Sequence, residues 1–257
     1  MRITVLASGS KGNATLVEAG TTRLLIDAGI PDDLLLTQLA RVGQSAPPTA
    51  VVITHAHADH HGQIDRLTRR WPLPVYCTES VRRAVHLHRA ASVRVVSPRD
   101  AFRVGDLDVL PLPVPHDAPQ IALRLTHRGA SVGFVTDLGE VPPTLKGHFA
   151  GCEVVLVESN HCTDLLWHGP YTPFLKRRVA SARGHLSNAQ TAAFLRTLPP
   201  TVRTVVLLHL SEVNNRPDLA RATAAEALAD HPATLLVATQ FGVTQAETLP
   251  PRQPTLF

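Results

Sequence analysis

The chain has 257 residues, 44% of them hydrophobic and 18% charged, which is the composition of an ordinary globular protein. It has no apolar run of about 18 residues, so we expect no membrane span. Its first residues enter a strand pattern without the layout of a signal peptide. Cys77, Cys152 and Cys162 lack CxxC spacing, which argues against a disulfide framework or zinc ribbon and favours a cytoplasmic location. The net charge of +4 permits a polyanionic substrate without requiring one.

The predicted elements alternate between groups of strands and helices. In chain order they are strands at 3–7, 14–18 and 23–27, a helix at 34–42, a strand at 50–54, a helix at 59–70, a strand at 75–76, a helix at 79–89, strands at 93–96, 101–104, 107–114, 121–126, 131–136 and 153–158, helices at 172–181 and 188–198, a strand at 204–208, a helix at 218–229 and a strand at 234–237. This order favours an α/β fold in which two mixed β-sheets pack face to face with helices outside. We expect a single domain over residues 1–243 and a frayed C-terminal tail over 244–257.

The most informative segment is 55–60, which reads His-Ala-His-Ala-Asp-His directly after an apolar strand. Imidazole and carboxylate groups are ligands for Zn²⁺, Mn²⁺ or Fe. His55 and His57 are two residues apart, so an extended backbone directs both rings to the same side. Asp59 and His60 begin the next helix and are directed to a second point, so the pattern favours a pair of metals. The alternative is a solvated, histidine-rich turn.

Three more residues of ligand type follow apolar strands. His116, Asp137 and His209 come directly after the segments 110–115, 132–136 and 205–208. Loops at strand ends are where functional sites gather in such sheets. Taken alone, each residue is more typical of a loop or of a satisfied core histidine. Four strands that end in the same way favour one shared site.

These residues, in this order, resemble the metallo-β-lactamase superfamily, which implies an αββα sandwich. The resemblance implies that His55, His57 and His116 hold one metal. It also implies that Asp59, His60 and His209 hold a second, with Asp137 bridging the two. The segments 8–13, 136–139, 158–161, 184–188 and 209–215 are similar to the YycJ (WalJ) family, whose members are regarded as metal-dependent DNA exonucleases with 5′-to-3′ polarity. His57 stands where redox di-iron members have Glu, and Asp137 where true β-lactamases commonly have Cys, so neither activity is favoured.

The expected cofactors are two divalent metal ions, Zn²⁺ or Mn²⁺, and the expected nucleophile is a hydroxide that bridges them. By analogy with the family, Asp59 both ligates and orients this nucleophile. His185, in the segment Gly-His-Leu-Ser-Asn, is the candidate to protonate the leaving oxygen or to bond the phosphate. The alternative is that Ser187 or Asn188 caps the following helix and that His185 merely packs beside it.

Candidates for substrate binding come from three further segments. Their members are Ser8, Ser10, Lys11 and Asn13 in a glycine-rich turn, Arg177 and Arg178 in a basic cluster with Lys176 and Arg183, and Asn215. The turn is suited to cradle a phosphate, but a hairpin turn without any ligand has the same composition. The basic cluster is the best placed to contact a nucleic-acid backbone.

The leading hypothesis is therefore a metal-dependent phosphodiesterase that acts as an exonuclease on DNA ends. The alternative is a small-molecule phosphodiester or ester hydrolase that uses the same dinuclear site. A third hypothesis is a metal-stabilised scaffold without catalysis, which the complete ligand set disfavours. Aromatic residues make up only 4% of the chain, so the sequence shows no obvious platform for stacking bases. The oligomeric state stays open.

Overall fold

The computed structural model describes residues 1–44, 46–87, 90 and 92–248. The strands are β1 (Arg2–Ala7), β2 (Ala14–Ala19), β3 (Thr22–Ile26), β4 (Ala50–Ile53), β5 (Pro74–Thr78), β6 (Ser92–Val96), β7 (Phe102–Val104), β8 (Leu107–Val114), β9 (Gln120–His127), β10 (Ala130–Val135), β11 (Val154–Glu158), β12 (Thr204–Leu208), β13 (Thr234–Val237) and β14 (Thr244–Glu247). The helices are α1 (Asp32–Arg41), α2 (Ala58–His61), α3 (Ile64–Arg70), α4 (Glu79–Ala84), α5 (Pro143–His148), α6 (Thr163–His168), α7 (Pro173–Val179), α8 (Asn188–Leu195) and α9 (Pro217–Ala227). None of these helices is long and apolar enough to cross a bilayer.

The strands form two seven-stranded mixed sheets. The first has the order β14-β1-β2-β3-β4-β5-β6, and the second has the order β13-β12-β11-β10-β9-β8-β7. Strands β3 to β6 are parallel in the first sheet, and β10 to β13 are parallel in the second. In each sheet the carboxyl ends of several parallel strands therefore lie along one edge, which is where sites form in sheets of this kind.

Three apolar layers hold the sheets and helices together. The central layer joins the inner faces of both sheets and includes Ile3 and Leu24 from the first and Leu123 and Leu156 from the second. A second layer packs the outer face of the first sheet against α1, α3 and α4. A third packs the outer face of the second sheet against α5, α8 and α9. The expected sandwich of two mixed sheets flanked by helices is confirmed.

The structure differs from the elements predicted from the sequence at several places. Residues 244–247, expected in the tail, form β14, which pairs with β1 at the edge of the first sheet; residues 249–257 lie outside the described residues. The helix expected at 59–70 is two helices, because the backbone N–H of Gln63 turns aside to bond the Ala28 carbonyl. The helix expected at 79–89 ends at Ala84, and its last two residues are not described. Two short helices, α5 and α6, were not predicted.

Candidate metal centre

The site lies where the strand ends of the two sheets face each other. From the first sheet, His55 follows β4 and the 57–60 turn continues from it into α2. From the second, His116 follows β8, Asp137 follows β10 and His209 follows β12. All seven residues predicted as ligands lie together in space, in two neighbouring clusters.

We call His55, His57 and His116 the first ligand group. One nitrogen from each ring lies within 4.8 Å of the others, and His57 Nδ1 is 3.2 Å from His116 Nε2. His55 is completely buried, and its Nε2 has no hydrogen-bond partner among the described residues. Burial, and then the charge of His60, hold the pKa of His55 well below its usual value, so the ring is neutral. A buried neutral nitrogen without a partner is the state in which histidine ligates metal, so these residues fit an ion.

We call Asp59, His60, Asp137 and His209 the second ligand group. Their donor atoms also lie within 4.8 Å of one another. His60 Nε2 is 3.1 Å from Asp137 Oδ2, and His209 Nε2 is 3.3 Å from Asp59 Oδ2. The two groups adjoin, because the ring centroids of His55 and His60 are 4.2 Å apart.

Two carboxylates, Asp59 and Asp137, dominate the electrostatics of the second ligand group. Burial lowers the pKa of His209, but the charge of Asp137 and the bonds to Asp59 and Glu158 outweigh burial and raise it to about 10. Burial raises the pKa of Asp137, but the charges of His209 and His60 hold it well below its usual value. The carboxylates that attract a proton to His209 would equally attract a divalent cation, so this donor set also fits a metal.

A buried carboxylate, Asp27, fixes the orientation of His60. Asp27 Oδ2 lies 2.7 Å from His60 Nδ1, and Asp27 Oδ1 accepts hydrogen bonds from the backbone N–H and the hydroxyl of Thr54. Because Nδ1 is occupied, Nε2 of His60 faces the second ligand group. From the sequence, Asp27 was predicted only as the last residue of a strand, although it follows apolar strand residues as His55 does.

A second buried carboxylate, Glu158, supports two histidines. Its Oε1 lies 2.7 Å from His185 Nδ1 and 3.4 Å from His209 Nδ1, and its Oε2 accepts hydrogen bonds from the backbone N–H groups of Leu138 and Leu186. Glu158 was noted only within a segment similar to the family. It also forms a third cluster of possible ligands with Asp137, His185 and His209.

Three residues at strand ends have left-handed backbone conformations. The φ angles are 63° at Asp27, 53° at Asp137 and 53° at His209. Such angles are uncommon outside glycine and are found mainly where surrounding contacts enforce them. At these positions the chain leaves its strand sharply, which directs the side chain across the sheet edge into the site.

His185 lines a cavity of about 220 Å³ at the site, together with Asp59, Asp137 and His209. Burial lowers the pKa of His185, but the charge and hydrogen bond of Glu158 outweigh it and raise the pKa. Ser187 caps α8 in a capping box with Gln190. The two readings of this segment therefore coexist: Ser187 caps the helix, and His185 still faces the cavity.

An exposed acidic residue, Asp117, closes the other side of the cavity. Its Oδ1 lies 3.1 Å from His57 Nε2 and 3.3 Å from His116 Nε2, and its Oδ2 accepts hydrogen bonds from Arg178 at 2.8 and 2.6 Å. Asp117 carries no signal in the sequence beyond its position next to His116. The Nδ1 atom of His116 is hydrogen-bonded to the Gly184 carbonyl. Position 184 requires glycine, because a side chain there would collide with the Arg178 carbonyl.

The residues expected to bind substrate are divided by the structure. Ser10 and Arg178 line the cavity. Lys11 lies on the surface in an ion pair with Glu212 at 2.7 Å, and Arg177 lies on the exposed face of α7.

The remaining three, Ser8, Asn13 and Asn215, are buried and bonded to protein, which corrects the expectation that they contact substrate. Ser8 accepts a hydrogen bond from the backbone N–H of His209 at 2.8 Å. Asn13 Nδ2 lies 3.3 Å from Asp59 Oδ2, and Asn215 donates to the carbonyls of the 159–160 segment. These side chains hold the loops that carry the ligands.

Comparison with known proteins identifies the family. A model described as the beta-lactamase superfamily domain matches residues 22–210. The exodeoxyribonuclease WalJ of Streptococcus pneumoniae serotype 2 is 32% identical, over 97% of this chain and 96% of WalJ. The exodeoxyribonuclease YycJ of Bacillus anthracis is 30% identical, over 89% of each chain. The metallo-beta-lactamase fold protein YhfI of Bacillus subtilis has a TM-score of 0.74 at 17% identity, with 95% of this chain and 98% of YhfI covered.

The fold and the clustered histidines and carboxylates define a metal-dependent hydrolase of the beta-lactamase superfamily. Within that superfamily, the chain belongs to the family of WalJ and YycJ.

Proposed function

We propose that this protein is a DNA exonuclease that removes nucleotides in the 5′-to-3′ direction with two divalent metal ions, Zn²⁺ or Mn²⁺. The observation that carries the proposal is the convergence of two adjoining ligand groups at one cavity. It is supported by the relatives, which are named exodeoxyribonucleases and align over almost the whole chain. The first ligand group would hold one ion and the second the other, with Asp137 between them. The proposal includes a cytoplasmic location, which suits the free cysteines Cys77, Cys152 and Cys162.

The chemistry divides between the metals and the side chains at the cavity. When bound, two divalent ions lower the pKa of water and neutralise the charge of the attacked phosphate. Asp59 lines the cavity beside Asp137, so its carboxylate can accept a hydrogen bond from the attacking water and orient it. His185 Nδ1 is bonded to Glu158, which leaves Nε2 to face the leaving sugar oxygen and donate a proton to it.

The proposal is tested with protein purified without chelator. We expect the metal-loaded protein to release nucleotides from DNA duplexes, and Asp59→Asn to lower the rate by about 10³- to 10⁴-fold. Asp108→Asn is the matched control, because Asp108 is an exposed carboxylate on β8 outside the site. Duplexes labelled at either end show the polarity, and metal analysis gives the stoichiometry.

The small size of the cavity also favours a second candidate, a hydrolase of small phosphodiesters or esters. Turnover of a chromogenic phosphodiester is therefore measured beside the DNA assay. Efficient turnover of the small ester with intact DNA would overturn the proposal in favour of this second candidate. Hydrolysis that is unchanged by Asp59→Asn would contradict any catalytic role of the site.

A further inference from the structure

Three aromatic side chains, Trp167, Tyr171 and Phe174, lie at the connection between α6 and α7, and we call them the aromatic rim. Tyr171 lines the metal cavity, Trp167 is 46% exposed and Phe174 is 73% exposed. The whole chain has only two tryptophans and two tyrosines, and one residue of each type stands in this short segment. Single exposed apolar residues are normal on a protein surface, but two exposed rings four positions before and three positions after a tyrosine that lines the cavity point to a ligand.

The aromatic rim is held in place by the backbone that carries it. Lys176 on α7 donates a hydrogen bond to the Trp167 carbonyl at 2.7 Å, which ties the end of α6 to α7. Thr172 caps α7 by accepting from the backbone N–H of Leu175, and Pro173 stands in the first turn. Rings on a fixed backbone bind a ligand without a large cost of ordering the chain.

Positive charge adjoins the aromatic rim along α7 and the loop after it. Arg177 and Arg183 are exposed and form no ion pair with any residue that the structure describes. Arg178 lines the cavity, where Asp117 holds its guanidinium. Aromatic rings alternating with cations suit a nucleic-acid strand, because bases stack on the rings while phosphates contact the cations. A second copy of this chain would bring the same cations against one another.

The size of the cavity decides which part of the nucleic acid enters it. Its volume of about 220 Å³ lies below the range of small-molecule pockets, about 300–1,000 Å³, so it admits a phosphate and its sugar but no duplex. The bases then remain outside, on the side of the cavity where Tyr171 connects the helices that carry Trp167 and Phe174. Inside a duplex both faces of a base are covered by its neighbours, and at a blunt end only the outer face of the last pair is open. Several rings can therefore stack on successive bases only in an unpaired strand.

We propose that the aromatic rim stacks the bases of an unpaired strand end while the phosphate of that strand enters the metal cavity. This inference rests on the proposed exonuclease function and names its substrate class, DNA with a single-stranded end. Phe174 and Trp167 are substrate-binding residues in this arrangement, and Arg177 contacts the phosphate backbone.

The experiment measures binding of single-stranded oligonucleotides with phosphorothioate linkages to the metal-loaded protein. Phe174→Ala and Trp167→Ala should each weaken binding by about 10-fold, equivalent to ~1.4 kcal/mol. Phe174→Tyr should bind as the wild type does, and Phe174→Leu should resemble Phe174→Ala, because leucine keeps apolar surface but cannot stack. Leu110→Ala and Arg69→Ala, at exposed positions on β8 and α3, are the matched controls and should leave binding unchanged.

Oligonucleotides with abasic sites near the end separate stacking from a general effect on structure. Removing the base should weaken binding to the wild type but not to Phe174→Ala. The stacking interaction between base and ring is already absent in the variant, so removing the base has nothing further to break. Metal content should be the same in Phe174→Ala and the wild type, because Phe174 belongs to neither ligand group.

Several outcomes would overturn the inference. One is that both alanine variants bind the single-stranded oligonucleotide as the wild type does. A second is that the variants lose as much affinity for blunt duplex as for the single strand. A third is that the wild type is a dimer that Phe174→Ala dissociates without any change in oligonucleotide binding. Failure of the exonuclease function is a separate result: the wild type would release no nucleotide from any DNA, while binding of the unpaired strand still depended on Phe174. If the wild type released nucleotides but the rim variants bound oligonucleotides as the wild type does, the stacking role of the aromatic rim would be wrong and the exonuclease function would stand.

Discussion

The two ligand groups differ in how firmly the fold holds them. In the second, His60 is fully buried and its other ring nitrogen lies 2.7 Å from the buried Asp27. In the first, His55 and His116 are buried, but the side chain of His57 is 31% exposed and its Nε2 faces Asp117, which is itself 28% exposed. Ligands oriented by buried carboxylates are preorganised, whereas exposed ligands must be assembled around their ion. We therefore expect one ion to bind tightly at the second ligand group and the other to exchange at the first.

The largest expected difference is between His60→Ala and His57→Ala. The first substitution removes a buried ring and leaves Asp27 without its partner, so the metal-free protein should lose about 1–3 kcal/mol of free energy of unfolding. It should also lose the tightly bound ion. The second should remove only the exchangeable ion and change the free energy of unfolding by less than about 0.5 kcal/mol. Mass spectrometry of bound metal and denaturation of the metal-free variants check both; equal losses would remove the distinction between the groups.

His185→Gln tests the side chain that Glu158 orients beside the second ligand group. The rate of DNA hydrolysis should fall by about 100-fold, because the leaving sugar oxygen loses its proton donor. A chromogenic phosphodiester with an acidic phenol should be affected much less, because its leaving group departs without a proton. His127→Gln, at the last residue of β9 and outside both ligand groups, is the control. If both substrates slowed equally, His185 would act as a ligand, as the cluster with Glu158 allows.

Asp27→Asn and Asp117→Asn compare the two supporting carboxylates directly. Loss of the buried charge at Asp27 should weaken metal binding by about 10- to 100-fold, as is typical for such partners of ligating histidines. Asp117→Asn should change affinity by less than about tenfold, since solvent already screens Asp117. Competition with a chromogenic chelator gives both affinities. A larger effect at Asp117 would reverse the proposed order of binding.

The smallest expected effect concerns an ion pair outside the metal site and its contribution to the free energy of unfolding. Asp32 on α1 pairs with Arg66 and with Arg70 at 3.0 Å. Burial raises the pKa of Asp32, but the hydrogen bonds of the two arginines outweigh it and hold the pKa below its usual value. A carboxyl with a lowered folded pKa stabilises the fold above its unfolded pKa, and this contribution is lost as the pH falls through the folded value.

Asp32→Asn should accordingly lower the free energy of unfolding by less than about 1 kcal/mol at neutral pH. The difference from the wild type should vanish in acid, where Asp32 is protonated. Urea denaturation of the metal-free proteins at several pH values measures it, with the exposed Asp33→Asn as control. A difference that persists in acid would assign the effect to packing.

The sequence predicted well which histidines and carboxylates come together, because each carries a local signal. Four of them stand within six residues of one another at 55–60. His116, Asp137 and His209 are scattered, but each is a polar side chain that follows an apolar strand. The sheet then supplies what sequence cannot show, since parallel strands bring their carboxyl ends to the same edge.

The supporting residues were harder to predict. Asp27 and Glu158 carry the same strand-end signal as the residues predicted to bind metal. Only the structure shows that their carboxylates contact the Nδ1 atoms of His60, His185 and His209. Ser8 and Asn13 looked suited to a phosphate and instead hold the loops, because burial is a property of the whole fold. The low aromatic content did not point to the aromatic rim, since a composition averages over positions and three of the eleven aromatic residues stand within the eight positions 167–174.

The pairing of β14 with β1 has a consequence for synthesis of the protein. β1 lies between β2 and β14 in the first sheet, and β14 begins 244 − 7 = 237 positions after β1 ends. The nascent chain therefore carries an unpaired strand edge, open to association with other chains, until β14 has been synthesised. His209 is made 209 − 55 = 154 positions after His55, so the complete ligand set, and with it any hydrolytic activity, exists only after that stretch has emerged.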